Sequence, residues 1–276
     1  MINKREMTYL GQTVHIIEGR NDLNDEVQIS VCADKYSSVA KKQLSQFRDE
    51  ELESQGFILE GIINGGLFFT ESGVTFAEGI EKSKGNVHEI DDRNLDTCMG
   101  LYHNNGLPFI ALQSYIIANL SKYRGALTGA FGLLNNGLTD TRGRSQRSTI
   151  FNAKSGRSII GKKPDGTILL VSFQGVTGES GLTGEQCVSL ARYLGMNNAL
   201  CLDGGGSTQM RYKGVSMLYT GRELKNAIAL YRKSKCLQVG DKVVVLGTHS
   251  VDSVNGSMAQ LSDMENEIEV KFLKVV

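Results

Sequence analysis

The chain alternates apolar and polar positions mostly with the period of two that belongs to strands. "TVHIIEGR" (Thr13–Arg20) and "EVQISVCAD" (Glu26–Asp34) are rich in β-branched residues, which predicts two strands joined by the turn-rich "NDLND". "SSVAKKQLSQFRDEELESQG" predicts a helix that closes near Gly56. "FILEGIINGGLFFTESG" predicts a strand that runs into Gly65-Gly66 and resumes with two aromatics. A glycine pair inside such a pattern marks a bulge or the close approach of another group. "LPFIALQSYIIANLSKY" fits a strand followed by a helix, and "GALTGAFGLLNNGLTDTRGRSQR" fits a glycine-punctuated loop carrying short strands.

Further on, "RSIIGKKPDGTILLVSFQG" predicts a hairpin turning at Pro164-Asp165-Gly166. In "LTGEQCVSLARYLG", Cys187, Leu190, Ala191 and Leu194 fall at i, i+3, i+4 and i+7, the stripe of an amphipathic helix. Thr183 and Gln186 have the spacing of a capping box, and Gly195 stands where a helix ends in a left-handed glycine. "NALCLD" predicts a buried strand that delivers Asp203 and Gly204-Gly205-Gly206 at its C-terminal end, and "ELKNAIALYRK" a last strand or helix. From Cys236 the alternating "LQVGDKVVVLG" and "EIEVKFLKVV" predict a small SH3-like β-module. Two domains are therefore expected, 1–234 and 235–276.

Composition narrows the partners. Thirty Lys+Arg balance thirty Asp+Glu, so net charge argues for neither nucleic acid nor an anionic membrane. The chain has 32 glycines and two prolines, which suits tight turns around sheets better than disorder. The polar start "MINKREMTYLGQ" lacks the apolar stretch of a signal peptide, and no apolar run reaches the ~20 residues of a membrane span. A cytoplasmic or phage-virion location is expected. Five cysteines without a CxxC read as buried thiols, and the four scattered histidines give no metal-ligand spacing. Neither metal nor cofactor is expected, although a divalent cation on Asp203 stays open because oxygen sites leave little sequence trace.

Two motifs fail. "GRSIIGKK" nearly spells a P-loop, but Lys163 replaces the hydroxyl and Pro-Asp-Gly follows where a helix should begin. Ser207 lacks the GxSxG elbow because Gln209 stands at the final glycine position. A carboxylate-plus-cation site fits better. Asp203 ends an apolar strand, and the backbone of Gly204, Gly205 and Gly206 can form an anion nest. Ser207 and Thr208 add hydroxyls, while Arg157 and Arg222 supply forks suited to a phosphorylated ligand. Glu78 is a second candidate acid.

"NGGLFF" (Asn64–Phe69), Gly156–Gly175, "GLTGEQCVSLARYLGMNNALCLDGGGST" (Gly181–Thr208) and "GRELKNAIAL" (Gly221–Leu230) resemble, in order and spacing, the phosphodiester glycosidase family. The resemblance spans about Thr13 to Arg232. It implies an α/β (α+β) domain of mixed β-sheets with flanking helices. It also implies hydrolysis between a sugar anomeric carbon and a phosphate, such as an N-acetylglucosamine phosphodiester. By match, Asn64, Gly65, Gly66, Arg157, Asp203, Gly204–Gly206 and Ser207 would line the site, with Arg222 as a late arginine. Arg157 would neutralise the departing phosphate, and Asp203 would steady the sugar cation or activate water. The chain departs from the family at Gln174-Gly175-Val176, where Asp-Gly-Arg is usual, and at Cys201 and Thr208, where asparagine and serine are. A second reading is a non-catalytic glycan-binding or structural module, as in a phage tail or cell-wall assembly.

Overall fold

The computed structural model describes residues 1–20, 25–33, 41–72, 74–90, 97–102, 108–176, 178–234, 243–245 and 272–274. The chain divides into two compact units, Met1–Ser234 and Lys235–Val276.

In the first unit, a seven-stranded sheet runs in spatial order Ile2–Tyr9, Gln12–Gly19, Ile168–Phe173, Arg157–Lys162, Asn198–Gly204, Phe131–Asn135 and Leu138–Thr139. A second sheet orders Pro108–Ala111, Cys98–Tyr102, Tyr123–Thr128, Ile80–Ser83 and Asn86–Ile90. A third orders Val215–Leu218, Met210–Tyr212, Ile58–Asn64, Asn226–Ser234 and Asp25–Ala33.

The expected mixed α/β character is corrected here: the fold is β-rich, its helices are few and short, and the strand pairings among the described residues are antiparallel. The turns explain why. Leu10-Gly11, Lys84-Gly85, Asn136-Gly137 and Lys213-Gly214 all have positive φ at both positions, the geometry of two-residue hairpin turns. Such turns return the chain antiparallel, whereas a parallel pair needs a long crossover. Another correction concerns "SSVAKKQLSQFRDEELESQG". Residues 34–40 lie outside the described set, and Lys42 pairs as a bridge with Leu224. Only a 3-10 turn (Leu44–Gln46) and the helix Glu50–Ser54, capped by Asp49, follow. "ELKNAIALYRK" resolves as the strand Asn226–Ser234.

The central strands are buried on both faces, so alternate residues enter two different cores. Ile17, Ile160, Leu170, Leu200 and Leu202 face a core shared with Val27, Ile29, Ile63, Ile228 and Leu230 of the third sheet. Ile16, Ile159, Leu169, Val171 and Cys201 face the helix Gly184–Tyr193 through Cys187, Val188, Leu190 and Ala191. That helix begins with the expected capping box and ends at Gly195, φ +76°. Burial on both faces explains the unbroken apolar runs in strands that are nonetheless antiparallel.

In the second unit the described residues are Val243–Val245 and Phe272–Lys274, an antiparallel pair. The expected SH3-like closure falls on residues outside the described set.

Candidate active site

Asp203 is the penultimate residue of the strand Asn198–Gly204, in the interior of the large sheet. The register with its neighbour breaks just before it: Ile159 opposes Cys201, but Arg157 opposes Gly204. A break of this kind re-aims a side chain out of the ladder. On the other flank the ladder ends at Ala130, whose N–H donates to Cys201 O at 2.8 Å. The Asn64-Gly65 segment then takes over. Asp203 N–H donates to Gly65 O at 3.0 Å, and Asn64 Nδ2 donates to Asp203 O at 2.9 Å. Both backbone polar groups of Asp203 are thus held by the last residue of the third sheet's strand Ile58–Asn64 and the glycine that follows it.

Above this seat lies a cavity of about 280 Å³. Leu67, Ala130, Ile150, Ala153 and Leu202 form its apolar side; Asp203, Gly204–Gly206, Arg157 and Arg222 form its polar side. Burial raises the Asp203 carboxyl above the usual carboxylate range, and the charge of Glu78 adds to the rise. The Ser207 hydroxyl, the Gly204 N–H (2.8 Å from Oδ1) and the Arg222 charge oppose it.

The three glycines differ in what they do. A Cβ on Gly204 would lie 2.6 Å from Gly156 O, so backbone packing excludes a side chain there. Gly205 has φ +56°, and its N–H donates to Gly156 O at 2.9 Å. Two amides expected to face an anion are therefore already engaged within the protein. At Gly206 a Cβ would meet nothing nearer than Arg222 Cδ at 3.7 Å.

The two arginines also differ. Arg157 is buried; its Nη2 donates to Ile150 O and to Ala153 O (2.9 Å), and its guanidinium lies 5.7 Å from the Phe131 ring centroid. Among the described residues its buried Nε has no hydrogen-bond partner. Arg222 is exposed and lies 4.9 Å from the Phe68 ring centroid, while its carbonyl accepts from Gln209 Nε2 at 2.7 Å.

Several expected residues do not line the cavity. Asn64 is 1% exposed, and its Oδ1 accepts from Ser158 Oγ (2.5 Å) and Gln209 N–H (3.2 Å). Gly65 and Gly66 pack so closely that a Cβ would fall 2.1 Å from Asn226 Oδ1 and 2.2 Å from Thr128 O respectively. Ser207 and Thr208 are wholly buried; the Ser207 hydroxyl lies beside the Asp203 carboxyl, and among the described residues Thr208 Oγ1 has no hydrogen-bond partner. Glu78 stands just behind the apolar side: its N–H donates to Leu67 O at 2.9 Å, and its carboxylate is paired with Arg147. Of the departures from the family, Cys201 and Gln174-Gly175-Val176 do not line the cavity. Cys201 faces the helix-side core, where burial pushes its thiol up to about 12. Gln174 and Val176 are exposed beyond the end of the strand Ile168–Phe173.

The pattern along the sequence did not reveal the short helix Ser148–Asn152, which with Ala153 builds one cavity wall, nor Arg147 at its start. The signal was present in the arginine density of "TRGRSQR" (141–147), three arginines in seven residues. Among the described residues no group of three or more His, Cys, Asp or Glu side chains is placed to hold a metal ion, and no helix is long and apolar enough to cross a membrane.

A family model described as phosphodiester glycosidase matches residues 58–231, more than half of the chain. No curated protein matches. Among solved structures the chain is similar to the catalytic domain of zebrafish N-acetylglucosamine-1-phosphodiester alpha-N-acetylglucosaminidase, auto-inhibited by its pro-peptide. The identity is 16% and the TM-score 0.61, covering 83% of this chain and 81% of that one. It is also similar to a hypothetical protein from Synechocystis, with 12% identity and a TM-score of 0.63, covering 83% of this chain and 61% of that one.

Proposed function

Because the chain belongs to the phosphodiester glycosidase family, we propose that it hydrolyses a sugar-1-phosphodiester, with Asp203 acting at the anomeric carbon. The observation that carries this reading is the juxtaposition in one cavity of a desolvated carboxylate and two guanidinium groups. The zebrafish enzyme is named for N-acetylglucosamine-1-phosphodiester, and an N-acetylglucosamine phosphodiester is the substrate proposed for this chain. A cavity of about 280 Å³ suits one sugar ring with its attached phosphate.

In this mechanism the C1–O bond breaks and its electron pair leaves with the phosphate. A phosphate is a good leaving group, so cation stabilisation matters more than protonation. Arg222 stands at the rim to meet the phosphate, and the buried Arg157, which also lines the cavity, supplies the second positive charge. Asp203 either steadies the developing sugar cation or takes a proton from the attacking water. A carboxylate whose pKa is raised by burial is a stronger base than a solvated one. Glu78, paired with Arg147, adds negative potential behind the sugar.

The test uses an alkyl N-acetylglucosamine-1-phosphate diester in ¹⁸O-labelled water. Label is expected in the sugar, and Asp203→Asn is expected to lose about 100-fold or more in kcat. Label in the phosphate, or undiminished turnover by Asp203→Asn, refutes the proposal. Binding of the diester without turnover by the wild type would favour the glycan-binding module instead.

A further inference from the structure

Asn226 opens the strand Asn226–Ser234 and does not line the cavity. It is 2% exposed, yet backbone and side chain together grip the segment that seats Asp203. Gly65 N–H donates to Asn226 O at 3.1 Å, and Gly66 N–H donates to Asn226 Oδ1 at 2.8 Å. A backbone N–H can only donate, so the amide oxygen must face Gly66 and the NH₂ must face the other way. There it meets Glu81 Oε2 at 2.6 Å. Glu81 is wholly buried, and Lys225 Nζ lies 3.6 Å from its other oxygen. Glu81 therefore presents an acceptor that admits one orientation of the amide. The absent side chain at Gly65 makes room for this amide, since a Cβ would sit 2.1 Å from Oδ1. The hydrogen-bonded path then continues from Gly65 O to Asp203 N–H at 3.0 Å.

We propose that Asn226, oriented by Glu81, is a positioning residue for Asp203, fixing the height of its backbone through Gly65-Gly66. Removing the amide would leave Gly66 N–H and Glu81 Oε2 buried without their partner, beside a Glu81 Oε1 whose contact is the ion pair with Lys225, and a network so depleted loosens what it holds. The kinetic side of this proposal rests on the phosphodiester reading above; the geometric side does not.

The experiment therefore has two arms on the full chain. Amide hydrogen exchange followed by NMR compares wild type, Asn226→Ala, Asn226→Asp and Glu81→Gln. Asn226→Ala is expected to speed exchange at Gly66 and Asp203 about tenfold or more, while Leu200 in the same strand stays at the wild-type rate. Asn226→Asp keeps the size but sets a carboxylate oxygen against Glu81, and is expected to loosen the same two amides. It decides the matter if the alanine variant does not fold. Glu81→Gln still offers an oxygen to the amide and is expected to leave both amides near their wild-type rates. In the kinetic arm, Asn226→Ala is expected to lose about tenfold in kcat with KM within about twofold. Unchanged exchange at Asp203, or a uniform rise across the sheet that reports only global destabilisation, overturns the proposal. If the wild type turns over no diester, the phosphodiester reading fails while the exchange arm still decides the positioning role.

Discussion

At the scale of single residues, the triple glycine separates into unlike parts. Gly204 and Gly205 answer to the Gly156 backbone, by close approach and by a left-handed φ, whereas Gly206, whose carbonyl accepts from Thr220 Oγ1 at 2.6 Å, has neither constraint. Gly204→Ala is expected to cost about 1–3 kcal/mol by overpacking against a carbonyl that cannot rotate away. Gly206→Ala is expected to keep wild-type stability and to weaken substrate binding, because its methyl would enter the cavity beside Arg222. Thermal melts and KM values of the two variants check this contrast. Glu81 carries a second residue-scale expectation. Burial pushes its carboxyl from 4.5 to about 7 in the folded protein, against the pull of Lys225 and Asn226. A carboxyl with a raised folded pKa binds its proton more tightly when folded. Its contribution to stability is therefore fully present below about 4.5 and lost as pH rises to about 7. Wild type is expected to lose several degrees of Tm relative to Glu81→Gln between pH 4.5 and 8, as followed by melts across that range.

At the scale of elements, local signals worked where one short stretch contains its own reason. The helix Gly184–Tyr193 has its cap, its stripe and its terminal glycine within fourteen residues, and all three are present in the structure. Thr183→Ala removes the side chain that accepts from Gln186 N–H and is expected to cost about 1 kcal/mol. Because the helix covers the core face away from the third sheet, kcat is expected to stay unchanged; denaturant titration and turnover measured side by side check both halves. The hairpin Arg157–Phe173 was equally legible from its Pro-Asp-Gly turn. The stretch before Gly56 was not, because Lys42 is drawn into a bridge with Leu224, and a partner 182 positions away leaves no local trace. The short helix Ser148–Asn152 is held in part by Arg157 Nη2 on the carbonyls of Ile150 and of Ala153 just after it, again a contact that no periodicity announces.

At the scale of the whole molecule, the sequence made the floor of the site legible and concealed its seat. Asp203 at a strand end and the glycine turn after it could be read directly. That Asn64 and Gly65 spend themselves holding the Asp203 backbone became visible only once the third sheet met the large one. The sheets read as α/β by resemblance, yet the x-Gly dipeptides at Leu10-Gly11, Asn136-Gly137 and Lys213-Gly214 already encoded antiparallel returns. The same long-range pairing bears on how the chain is made. Gln12–Gly19 must wait for Ile168–Phe173, about 150 residues later, before its second edge is paired. At roughly 5–20 residues per second of synthesis, that wait lasts on the order of ten to thirty seconds. Throughout it, the nascent hairpin has Ile16 and Ile17, which end fully buried, without their partner strand. Its outer strand Ile2–Tyr9 carries Lys4, Arg5 and Glu6 on an exposed surface. Those charges guard one edge of a half-built sheet on the ribosome, so the other is left free for the strand that will bring Arg157 and then Asp203 into place.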